Sequence, residues 1–178
     1  MMMRNKSTRI AVAGLLLASI AAPAQAAEEG TVEAFSSWEA RGQLYPTGPK
    51  EATFIGTLNG VLYVKGKDGS VDAGLMTCPG TVVINTEDLS QEGNAKCVII
   101  TPEAERIYAR FTCTGEYGAG CNGDFVLTGG TGKNAEISGG GPIQLKSAFG
   151  NLTRRPGSIV EQSAVGLALW PALTYKLP

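Results

Sequence analysis

Between residues 32 and 148 apolar and polar side chains alternate over short stretches, and nowhere does the apolar period lengthen to that of an amphipathic helix. The alternation predicts strands over 32–43, 52–58, 60–65, 81–86, 94–101, 104–113, 124–128 and 142–148. Pro-Thr-Gly-Pro at 46–49, Lys-Asp-Gly at 67–69 and several glycine-rich stretches separate them. Eight short strands with short links predict an all-β domain, an antiparallel barrel or sandwich. Beyond Phe149 the texture changes. Residues 150–157 predict a linker, whereas 159–178 are too apolar for one and predict a last strand packed on the domain. The organisation expected is a β-barrel domain over 27–149 with a C-terminal extension over 150–178. The alternative for the extension is docking into a neighbouring subunit.

Three turns set the expected register. Asn59-Gly60 lies between apolar runs, and Asn-Gly is the preferred type I′ pair because both turn residues need positive φ. A hairpin there places Leu58 opposite Val61 and Gly56 opposite Tyr63, whose ring covers the glycine backbone. A second hairpin, centred on Tyr117, sets Cys113 against Cys121, Arg110 against Asp124, Ala109 against Phe125 and Ile107 against Leu127. Ile107, Ala109, Phe111, Phe125 and Leu127 then share one face, and Arg106, Tyr108, Arg110 and Asp124 the other. A third turn, around Glu87-Asp88, brings Cys78 to Cys97.

Arg4, Lys6 and Arg9, the apolar run at 10–20 and Ala24-Gln25-Ala26 together form the pattern of a secretory signal peptide over 1–26. That run is well short of the roughly 20 residues that cross a bilayer, and no later stretch reaches that length, so no membrane span is expected. Cleavage after Ala26 leaves 152 residues and, with three positive charges removed, takes the net charge from −1 to −4. The expected location is periplasmic or secreted. In such an oxidising compartment four cysteines pair as two disulfides. Of three connectivities, the hairpins favour Cys78–Cys97 with Cys113–Cys121. No two cysteines have the C-x2-C spacing of a thiolate zinc site, so no metal is expected. The sequence contains no histidine, which excludes Ser-His-Asp and Cys-His catalysis. The small net charge gives no footprint for nucleic acid.

The stretch from Leu127 to Gly141 is the most distinctive. It fails the phosphate-loop pattern at Leu127 and at Asn134. Its loose dinucleotide fingerprint, Gly130-x-Gly132-x-x-Ala135, lacks room for the following helix before Ser138-Gly139-Gly140-Gly141. Gly129-Gly130-Thr131-Gly132-Lys133, followed by Ile137-Ser138-Gly139, resembles the glycine-rich turn of the allene oxide cyclase-like and dirigent-like barrels, a calycin-type family. Asn134 stands where that family has an aromatic residue. The resemblance implies an antiparallel eight-stranded β-barrel with an apolar pocket, no cofactor, and a homo-oligomer that is a trimer in many members. Some members guide the cyclisation of reactive lipid or phenolic intermediates. With the leader, it implies a secreted member of bacterial type.

Without histidine, acid–base work falls to carboxylates, tyrosine and lysine or arginine. Glu39, Arg41, Gln43 and Tyr45 share one strand face; Arg106, Tyr108, Arg110 and Asp124 share another. Either face can be the inner one when a barrel holds a ligand. If these faces line the lumen, Glu39, Arg41, Tyr108, Arg110 and Asp124 are the catalytic candidates, with Arg110 orienting a carboxylate or enolate and Tyr108 donating a proton. Tyr45 and Tyr63 are then ligand-binding candidates. If they face water, they form ordinary cross-strand pairs worth about 0.2–1 kcal/mol. Trp38 and Trp170 are expected in the core. The expected function is binding of a small apolar or amphipathic molecule without strong catalysis. A cofactor-free cyclase or isomerase and a filled structural barrel are the alternatives, since eight-stranded barrels are packed solid or hold one small ligand. The exported protein should have an intact mass that starts at Ala27, unchanged by alkylation before reduction. Two alkylatable thiols in the unreduced protein would remove the disulfides.

Overall fold

The computed structural model describes residues 27–66, 68–154 and 160–178; the leader at 1–26 lies outside the described residues, as do 155–157 of the expected linker. Eight strands run β1 (Glu29–Gly48), β2 (Glu51–Lys65), β3 (Val71–Asn85), β4 (Ser90–Ile100), β5 (Arg106–Glu116), β6 (Gly120–Gly130), β7 (Ser138–Arg154) and β8 (Val160–Lys176). Each pairs antiparallel with its neighbour in sequence, and β8 returns to β1, so the sheet is a closed barrel. The all-β eight-stranded barrel expected from the sequence is the fold found.

The strand membership differs from expectation at both ends. Asn59-Gly60 is not a turn, and β2 runs straight through it. Asn59 pairs with Glu39 on one side and Thr77 on the other, and Gly60 with Trp38 and Met76. Ladders on both edges outweigh the local turn preference of the dipeptide. Glycine at 60 serves close approach instead, because a side chain there would crowd Ser36 Oγ and the Ser37 carbonyl. The eighth strand comes from the C-terminal segment. It lies in the barrel wall, hydrogen-bonded on both edges, and Gly150–Arg154 continue β7 rather than forming a linker.

The β5–β6 hairpin turns about Gly118, one residue beyond the expected centre. Gly118 takes φ +85°, a conformation glycine adopts without strain. Phe111 therefore faces Phe125, Arg110 faces Val126 and Asp124 faces Thr112. The slip is two residues, so every side chain keeps its expected face. The expected Gly56–Tyr63 pair is absent as well. Phe54 supplies the covering ring, lying where a methyl on Gly42 or Gly56 would go, while Tyr63 stacks on Phe35 with centroids 5.1 Å apart.

Both expected disulfides are present, Cys78–Cys97 and Cys113–Cys121, and all four cysteines point into the barrel. Each closes a short loop, worth about 3 kcal/mol in the chain-entropy model. The glycine-rich segment closes one end. A single 3-10 turn over Gly132–Asn134 joins β6 to β7, and the buried Asn134 donates through Nδ2 to Glu105 Oε2 at 2.9 Å.

This end, which also carries the first and last described residues, is packed solid. Trp170, 1% exposed, meets Phe125 edge-on at 5.3 Å, with Ile143, Leu127, Ile99, Met76 and Leu62 around them. Trp170→Ala should cost about 3–5 kcal/mol in urea unfolding, the usual figure for truncating a buried aromatic. Arg110→Ala and Asp124→Asn, on the outer wall, should each change stability by less than about 1 kcal/mol. The reverse order would turn the wall inside out.

Candidate functional site

The other half of the barrel is hollow. Across β1, β2, β3 and β4 the inward row reads Gly42, Gly56, Gly80 and Ala95 in direct register, so four adjacent strands contribute almost no side chain at one level. A cavity of about 360 Å³ opens there. Its volume falls within the roughly 300–1,000 Å³ of small-molecule sites. Trp38, Phe54, Leu58, Phe111 and Leu145 give it apolar walls, and the sulfurs of Cys78, Cys113 and Cys121 lie among them.

The mouth is framed by the β1–β2, β3–β4 and β5–β6 turns, which are bonded to one another. The Tyr117 N–H donates to the Leu89 carbonyl at 2.8 Å, the Thr86 N–H to the Lys50 carbonyl at 2.9 Å, and Gln91 Nε2 to the Gly120 carbonyl at 3.0 Å. The Ser147 N–H reaches the Ala119 carbonyl at 3.1 Å and ties β7 to the same rim. These bonds hold the opening in one shape.

The cavity is polar at a few points only. Among the described residues that line it, none carries a charge. Tyr117 is half-buried at the mouth, and burial pushes its phenol above the ordinary range near 10. Two lining groups have no hydrogen-bond partner among the described residues, the indole N–H of Trp38 and Oε1 of Gln162. A buried polar atom left unpaired costs free energy, and both atoms are closed off from the open space of the cavity.

The residues singled out from the sequence stand elsewhere. Glu39 and Arg41 form an ion pair at 2.7 Å on the outer wall, with Arg41 74% exposed. Tyr45 donates to Gln43 Oε1 beside them. Tyr63 is in the outer stack with Phe35. Tyr108, Arg110 and Asp124 project outward from β5 and β6, where Arg110 and Asp124 are exposed. The two clusters are half a barrel apart, and neither reaches the cavity. The pairing chemistry that made them candidates is that of a solvated wall. Phe54 and Gln162 were not singled out, and Phe111 only as part of an apolar face, because the small-residue level beside them exists only once β1 to β4 are in register. Tyr117 was noticed only as the centre of a turn.

No protein-family model matches the chain, and no curated protein matches it. Among solved structures it is similar to the pterocarpan synthase dirigent protein GePTS1, with a TM-score of 0.42 and 11% sequence identity, covering 85% of this chain and 93% of that one.

Proposed function

We propose that this chain binds one small neutral molecule, apolar or amphipathic, in the hollow half of the barrel, and does so without strong catalysis. The observation that carries the proposal is the 360 Å³ cavity whose described lining is mainly apolar and carries no charge. Neutral apolar surface entering it gains about 25 cal/mol per Å² removed from water. An ion entering it loses hydration and meets no opposite charge. A cyclase or isomerase needs an ionisable group held near the substrate, and the carboxylates and arginines considered above face outward. The leader pattern and the two disulfides support a periplasmic or secreted location. Exposed Phe35, Leu75 and Ile100 on the outer wall support a homo-oligomer.

Titration with the neutral dye N-phenyl-1-naphthylamine should give a saturable fluorescence gain at one site per chain. An anionic naphthalene sulfonate of similar size should bind at least tenfold more weakly. Failure of the neutral dye to saturate, with no molecule retained in native mass spectrometry of the exported protein, would overturn the proposal.

Tyr117 provides a second readout. Its folded-state pKa lies above the unfolded value, so the folded state holds the proton more tightly and stability falls as pH rises past about 10. Ultraviolet titration of wild type against Tyr117→Phe should show one phenol ionising above the ordinary range. Saturation with 1-decanol should move that midpoint further up by deepening its burial, and a midpoint unmoved by the alcohol would place the bound molecule away from the mouth.

A further inference from the structure

We infer that Gly93, together with Gly150, sets the size of ligand that the cavity accepts; the inference rests on the binding function proposed above. Among the described residues six glycines line the cavity, at 56, 80, 93, 118, 120 and 150. Four are there because the backbone demands them. A Cβ on Gly56 would strike the ring of Phe54 and the Arg41 carbonyl, and one on Gly80 would strike the Asn94 carbonyl and come within 2.7 Å of Ala95 Cβ. Gly118 and Gly120 take φ of +85° and +136°, which side chains rarely adopt.

Gly93 and Gly150 are under neither constraint. At Gly93 a Cβ would find Val82 Cγ2 at an ordinary 3.6 Å and Cys113 Sγ, bonded to Cys121, at 3.3 Å, so a single contact has to give by a few tenths of an ångström. At Gly150 the nearest described atom is the Ser163 carbonyl oxygen at 3.8 Å. Glycine in a strand interior gives up packing and loses more conformational freedom on folding than any other residue. What these two retain in exchange is empty volume, and that volume belongs to the cavity. Deeper along the same cavity Trp38 is 8% exposed, with its indole N–H unpartnered among the described residues. The ligand is therefore one whose bulk is limited at Gly93.

Gly93→Ala and Gly93→Val are compared with wild type against two neutral dyes, N-phenyl-1-naphthylamine and 1-naphthylamine, which lacks the phenyl ring. Each added carbon that collides with a bound ligand is worth about tenfold or more in affinity. Gly93→Val should weaken the larger dye at least tenfold and the smaller one less than threefold, with Gly93→Ala between. Unfolding midpoints at or above wild type would show that the loss is not one of fold. Equal losses for both dyes, or no loss for either, overturn the size limit while leaving the binding function intact. No saturable binding of either dye to wild type overturns both. Should Gly93→Val not fold, Gly150→Ala decides the matter by the same comparison.

Discussion

The close approach of strands at Gly42, Gly56 and Gly80 is the constraint on which the rest of the barrel depends. At each position a side chain would meet the carbonyl of a neighbouring strand or the ring of Phe54, so only glycine fits there. One level of the lumen is left without side chains. Phe54 lies flat across two of the glycines and shields their backbone. Below this level Trp170, Phe125 and Ile143 interdigitate into a dry core that anchors all eight strands. The hollow half is thus carried by a solid half, and its walls need no filling to stay apart.

Charge is partitioned as sharply as volume. Four ion pairs among the described residues, Glu39–Arg41, Lys50–Glu87, Glu33–Lys65 and Glu103–Lys133, join well-exposed side chains. Such pairs add little to stability and keep the outside wet. The lumen is held by aliphatic and aromatic contacts, two disulfides and glycine. A molecule inside meets shape, polarisable sulfur and a few hydrogen-bonding points, and among the described lining residues the titratable side chain is a phenol that resists ionisation. That environment sorts molecules by fit and neutrality.

Much of the fold was legible in the sequence, because period-two alternation survives errors of detail. A two-residue slip in the β5–β6 hairpin left each side chain on its expected face. The cysteine pairs followed from symmetric placement about turns, with Cys78 and Cys97 equidistant from Glu87-Asp88. Asn59-Gly60 misled because a turn signal is local, whereas pairing on two edges over the whole of β2 is not. The C-terminal segment read as an addition because nothing in its own residues says that its partner is the first strand. The cavity was hidden for a related reason. Glycines 42, 56, 80 and 93 lie far apart in sequence and mean nothing singly; only registration across four strands turns them into space. Polar clusters on β1 and β5 drew attention instead, since ionisable groups announce chemistry and empty volume does not.

Closure between β1 and β8 has a consequence for how the chain reaches this state. The two strands pair along nearly their whole length, and the Leu177 N–H donates to the Glu28 carbonyl at 2.7 Å, so the first and last described segments are partners. A polypeptide that emerges amino end first exposes β1 with one unpaired edge until residue 176 has followed it. Contacts of such long sequence separation form slowly, and during that interval the open edge is a template for other chains. The disulfide-bonded hairpins β3–β4 and β5–β6 are local and can form early. They hold the middle of the sheet at the right curvature while the ends wait. The bridges thus act on the order of assembly as well as on the finished barrel: they shorten the search that brings a strand near the start of the chain to one at its finish.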